Sequence, residues 1–233
     1  MQDKKDLLQA AYEAKTMVRE KEARAATATL GVHSKNLHYF RADYYTRRGI
    51  PGVKPFSADD HKRMQVLLVK INPDIIFFAA EDDPHGAHGL ASKLIARSLE
   101  HLGQYGKLTG VTLWGYRGAW NEWSLDDPDN LTFISFDEAN MKQKIAAIKE
   151  HKSQLNPLFP GDDQREFYER AHARNKAMAS EYYTLIDVNS ELTNESKKSS
   201  KEETLTSLTK IEAMPYLEVF KRFSAKDFIH NYK

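Results

Sequence analysis

The chain has 233 residues, 41% of them apolar, enough to bury a core for one sizeable α/β domain or two small ones. Lys plus Arg number 34 against 33 acidic residues, a net charge of +1, which argues against a nucleic-acid-binding surface. With no cysteine, disulfides, thiolate zinc sites and cysteine nucleophiles are excluded, and any metal must be held by His, Asp or Glu.

The charged start, Met1 to Lys5, leads into no apolar core of secretory type. The longest apolar run, Ile75 to Ala80, is too short to cross a bilayer. A cytoplasmic protein without a membrane partner is therefore expected. Residues 4–29 read as a helix with a modest stripe of Leu7, Leu8, Ala11, Ala14 and Val18, stopping at Gly31. Asn36 to Phe40 suggests a short strand, and Arg41 to Phe56, with two glycines and two prolines, a loop. Ser57 is placed to cap a helix carrying Met64, Leu67, Leu68 and Ile71, which Pro73 ends. Asp74 to Ala80 is a continuous apolar run, the pattern of a strand covered on both faces.

Leu90, Leu94, Ile95 and Leu102 mark the next helix, to Gly103, before strands at Val111–Tyr116 and Leu131–Ser135. Ser135 and Glu138 form an expected capping box for a helix with Met141, Ile145 and Ile148 on one face. A long helix is expected over 164–183, then a polar and mobile insertion over 189–206. Leu217, Phe220 and Phe223 suggest a closing helix. Strands alternating with helices imply a parallel sheet with helices on both faces, and no internal repeat is visible.

The chemistry is concentrated in Asp82-Asp83-Pro84-His85-Gly86-Ala87-His88. This segment follows a strand directly, and open α/β sheets bind ligands beyond the carboxyl ends of their strands. His85 and His88, three apart at a helix start, bring two imidazoles close together. Neutral imidazole is a good zinc ligand, and Asp82 and Asp83 are placed to fix its tautomer. The plainer alternative is that Asp83 caps the helix and both histidines are ordinary polar residues of its first turn. Two histidines also fall short of the three protein ligands a catalytic zinc usually has.

The segment resembles the second metal motif, His-Pro-Asp-His, of the PIG-L/LmbE-like N-deacetylases. Downstream, Trp114-Gly115-Tyr116-Arg117-Gly118-Ala119-Trp120-Asn121-Glu122-Trp123, the run Lys149 to Gln154, the run Phe159 to Phe167 and the ending Glu218 to Phe223 extend the likeness. Together they resemble the deacetylase-like C-terminal region of some bacterial glucosamine-6-phosphate deaminases, from about Leu8 to Phe223. The resemblance implies a Rossmann-like three-layer α/β fold with a mostly parallel sheet and a role in amino-sugar metabolism. It implies that His88 is a metal ligand, and that His85 is a catalytic group steadying the oxyanion formed when metal-bound water attacks an acetamide. The family's first motif, Pro-His-x-Asp-Asp, supplies two further ligands and the general base, and no such string occurs here. The resemblance thus implies one incomplete domain over 1–233, lacking the family's first strand-helix-strand. Zinc would be held only if the missing motif were supplied, by a deaminase or another complementing polypeptide. Otherwise the chain is a non-catalytic partner or regulatory module, or a gene fragment without activity of its own.

Arg117, at a strand end beside Trp120 and Trp123, is a candidate clamp for a phosphate or a sugar hydroxyl. The tryptophans suit sugar stacking or plain packing, with packing favoured for at least one. His151 is either a helix-end cation or a residue facing the site, since the family shows its string too. Asp162 and Asp163 are expected to be caps, and Arg165, Arg170 and Arg174 a solvated face.

Overall fold

A computed structural model describes residues 2–42, 56–80, 87–117, 122–125, 130–155, 164–195 and 214–233. The elements are α1 (Gln2–Thr29), α2 (Ala58–Ile71), β1 (Ile75–Ala79), α3 (Ala87–Gly103), β2 (Thr112–Tyr116), β3 (Leu131–Phe136), α4 (Glu138–Lys149), α5 (Phe167–Glu195), β4 (Tyr216–Ser224) and α6 (Ala225–Tyr232). Short 3-10 turns at Ser34–Asn36 and Lys152–Gln154 complete them.

Local chemistry explains most boundaries. At α2 the Ser57 hydroxyl accepts from the Asp60 backbone N–H at 3.1 Å, and the Asp60 carboxylate accepts from the Ser57 N–H at 2.9 Å. Asp60 is fully buried and also pairs with Arg63. Asn72, left-handed at φ 49°, closes that helix. Of the expected strand at 36–40, Asn36 ends a 3-10 turn under the His33 cap and residues 37–40 form no strand. The cap of α4 is Asp137, whose side chain accepts from the Asn140 N–H at 2.8 Å, in place of the expected Ser135 box. The Glu138 carboxylate instead accepts from Tyr216 Oη at 2.6 Å.

Four strands form one sheet in the order β1-β2-β4-β3. The α/β class is as expected, but the sheet is not mostly parallel: β1–β2 is parallel, whereas β2–β4 and β3–β4 are antiparallel. The difference arises from β4, read in the sequence as a closing helix. Leu217 and Val219 alternate with Glu218 and Phe220, a period of two that puts the aliphatic pair on a packed face. Inserted between β2 and β3, this strand reverses the sheet's direction.

The pairing register places Phe78, Leu113, Phe223, Leu131, Phe133, Leu217 and Val219 on one face. That face carries two buried clusters. Phe78, Leu113 and Phe228 meet Leu68 of α2, Ala96, Leu99 and Leu102 of α3 and Tyr232 of α6. Leu131, Leu217 and Val219 meet Met178, Ala179 and Tyr182 of α5. Gly115 is required where the strands cross Phe78, since an added Cβ would lie 2.8 Å from that ring. The opposite face carries Ile75, Phe77, Trp114 and Phe220, so β1 is not covered on both faces as its sequence suggested. Helix α5 continues through 189–195, residues read as the start of the polar insertion, while 196–213 lie outside the described residues. Among the described residues no helix is long and apolar enough to cross a membrane.

Candidate functional site at the carboxyl ends of β1 and β2

Because β1 and β2 are parallel, with Ala79 opposite Tyr116, their carboxyl ends share one edge of the sheet. The Ala80 N–H adds one more rung by donating to Tyr116 O at 2.9 Å. His88 lies in the first turn of α3 and is exposed. Its position is set by buried Ser92, whose hydroxyl reaches both Ala79 O and His88 O at 3.2 Å. The start of α3 is thereby pinned to the end of β1. Asp82, Asp83 and His85 lie outside the described residues, as do Trp120, Asp162 and Asp163. Among the described residues, no three His, Asp or Glu side chains converge as a metal would need. The described part of the edge does not by itself fit a zinc ion.

Arg117 follows β2 directly. Its guanidinium carbon stands 4.2 Å from the centre of the Trp123 ring, and Lys221 Nζ lies 5.5 Å from the same ring. The indole N–H donates to Gly115 O at 2.9 Å, fixing the ring against β2. Trp123 therefore acts as a platform that orients Arg117, the packing role rather than sugar stacking.

Beside this platform is a charged network that the sequence reading did not assemble. Glu122 Oε1 lies 2.5 Å from Arg174 Nε, and Arg174 Nη2 lies 3.7 Å from Glu218 Oε1. The other Glu218 oxygen accepts from Lys144 Nζ at 2.5 Å and from Asn175 Nδ2 at 2.9 Å. Buried Asn175 also donates to Leu217 O at 2.7 Å and accepts from Lys144 at 2.8 Å. Arg174 is thus ion-paired and half-buried rather than part of a solvated face. Burial pushes the Glu122 carboxyl up to about 7, with Glu218 adding to the rise and Arg174 and Lys144 opposing it. Burial also raises the Tyr116 phenol, again with a contribution from Glu218. A clue was available: Glu218 sits between two apolar residues of a strand, and Arg174 and Asn175 lie between Ala171 and Met178 of the packed stripe.

His151 precedes the turn at Lys152–Gln154, and its Nδ1 is buried with no hydrogen-bond partner among the described residues. The neighbouring Ser153 donates its N–H and hydroxyl to Glu22 at 2.6 and 2.7 Å, clamping α1 to this turn. Burial alone would raise the Glu22 carboxyl, but those two donors, with His151 and Arg19 nearby, hold it below its ordinary value. His172, which the sequence left unassigned, approaches Tyr216 Oη at 2.9 Å. Since the phenol proton goes to Glu138, His172 Nε2 must be the donor.

No family model matches the chain. It is 30% identical over 172 residues to a glucosamine-6-phosphate deaminase-like protein of Bacteroides thetaiotaomicron, a match covering 72% of this chain and 26% of that protein. The chain thus spans about a quarter of that curated relative. Its fold is similar to the crystal structure of Dbv21, the A40926 pseudoaglycone deacetylase, with a TM-score of 0.50 and 14% identity over 90% of this chain and 71% of that one. The likeness establishes a deacetylase-like α/β fold.

Proposed function

We propose that the chain is a deacetylase-like hydrolase region of PIG-L/LmbE type acting in amino-sugar metabolism, with His88 and His85 as contributors to a zinc site. The observation that carries this reading is His88, pinned by Ser92 to the carboxyl end of β1, in a fold similar to a deacetylase. The deaminase-like relative supports the amino-sugar context. Bound zinc would supply Lewis-acid polarisation of an acetamide carbonyl. On the protein side, Trp123 holds Arg117 ready for a phosphate or hydroxyl, and Glu122 exchanges its proton near neutrality.

Zinc titration calorimetry on the full chain mixed with a polypeptide carrying the Pro-His-x-Asp-Asp motif, beside the same mixture with a His88→Ala variant, tests the reading. Zinc should bind and weaken at least tenfold in the variant, in line with the ~10–100-fold effects seen at other zinc sites when supporting groups are removed. Equal affinity for the two proteins overturns it.

A second reading, a non-catalytic partner module of a glucosamine-6-phosphate deaminase, draws on the missing Pro-His-x-Asp-Asp string. Under it, glucosamine 6-phosphate binds without zinc, and His88→Ala leaves that binding unchanged.

A further inference from the structure

Helices α2 and α3 share a buried cluster through Leu68 and Leu99, and beside that seam their polar side chains line a cleft of about 600 Å³. The volume lies within the range of small-molecule sites. His61 and Gln65, one turn apart on α2, form one wall. Arg97, Glu100 and His101, on one face of α3, form the other, with Lys233 beside them. Among the described residues Glu100 is the one carboxylate lining the cleft, and it is ion-paired with Lys233. Arg97 makes no hydrogen bond or ion pair among the described residues, whereas Arg41, Arg63 and Arg174 each pair with a carboxylate. The two imidazoles are braced by aromatic edges, His61 by Phe56 at 6.4 Å and His101 by Tyr105 at 5.2 Å. Burial and the charge of Arg97 hold the His61 imidazole below its ordinary value, with Asp60 opposing them, so Arg97 and His61 feel each other across the cleft.

We infer that this cleft is an anion site for a small molecule carrying a phosphoryl group, with Arg97 as its principal contact and His61, Gln65 and His101 as further donors. The guanidinium of Arg97 offers a planar fork of donors that matches two oxygens of a phosphoryl group. His61 and Gln65 approach from the facing helix, so the donors surround a tetrahedral group instead of lying in the plane of a carboxylate. An oxyanion seated between Arg97 and His61 replaces their mutual repulsion with attraction to a shared partner. A metal ion does not meet the same need, because among the described residues His61, His101 and Glu100 do not converge as ligands. Arg97 and His101 lie nine and thirteen residues beyond His88 on α3, about 14 and 20 Å at helical rise. The cleft is therefore separate from the β1–β2 edge, and the inference does not depend on the hydrolase reading.

The test follows the histidine ring protons of the full chain by NMR during titration with inorganic pyrophosphate. The His61 and His101 signals, identified with His61→Gln and His101→Gln, should move together and saturate. Acetate at the same ionic strength should leave both in place. Arg97→Gln should weaken pyrophosphate about tenfold, as loss of a charge-assisted hydrogen bond does. Its circular dichroism and melting should match the parent, since Arg97 is exposed. Lys93→Gln removes a charge from exposed α3 surface outside the cleft and should leave the affinity as it is. Four results would overturn the proposal: no saturating shift, movement at His88 in place of His61 and His101, an equal response to acetate, or an affinity that Arg97→Gln leaves unchanged. Equal losses in Arg97→Gln and Lys93→Gln overturn it too, because the attraction is then diffuse and no site holds the anion.

Discussion

Glu122 shows how burial decides a charge. Its partner Arg174 favours the ionised form, yet loss of water outweighs that attraction and the carboxyl titrates at about 7. Between the ordinary value of 4.5 and about 7, the folded chain holds a proton that the unfolded chain has released. Stability from this group is therefore full at low pH and declines as pH rises through that window. Melting temperatures of the parent should fall relative to Glu122→Gln between pH 4.5 and 7.5, and curves that stay parallel would refute the assignment. Asp60 is the contrasting case, a buried carboxylate with every need met by Ser57 and Arg63. Asp60→Ala should cost about 1–3 kcal/mol in urea unfolding, since cap and ion pair are lost together. In the sequence these residues differ in legibility. Ser57-x-x-Asp60 is a local pattern and was readable as a helix start. Glu122, Arg174 and Glu218 are far apart in the chain, and only the fold brings their charges together. That is why Arg174 read as a solvent-facing residue.

At the level of elements, spacing was informative where one contact pattern dominated and misleading where two overlapped. Helices α2 and α3 show apolar stripes at helical period, and both were legible. Strand β4 holds Leu217, Phe220 and Phe223 at intervals of three, which imitates a helix, while its buried pair Leu217 and Val219 follows the period of two. Phe220 hid that alternation, because it is an apolar ring on the same face of the strand as Glu218. Two variants probe these joints. Asn175→Ala strips partners from Lys144, Glu218 and Leu217 O at once and should cost about 2–3 kcal/mol. Gly115→Ala presses a methyl group toward the buried Phe78 ring and should cost about 1–3 kcal/mol. Urea midpoints decide both, and a loss under half a kilocalorie in either would contradict the packing described.

Across the whole molecule, both buried clusters share one face of the sheet yet stand apart along β4. Leu113 pairs with Phe223, six residues from Leu217, a separation of about 20 Å at ordinary strand rise. Each leucine is fully buried. Leu113→Ala and Leu217→Ala should each cost about 2–5 kcal/mol. Because they share no neighbours, the double variant should lose the sum to within about 0.5 kcal/mol. A clear excess or shortfall in equilibrium unfolding would mean the sheet transmits strain from one cluster to the other.

The two described tryptophans differ in a way that can be put to use. The indole of Trp123 is tied to Gly115 and flanked by cations, whereas Trp114 lies half-buried against Phe77 and Phe220 on the opposite side of the sheet. Emission from Trp114 should shift to shorter wavelength and escape iodide quenching when anything settles over it. Comparison with Trp114→Phe isolates that signal, giving the protein its own optical gauge of occupancy.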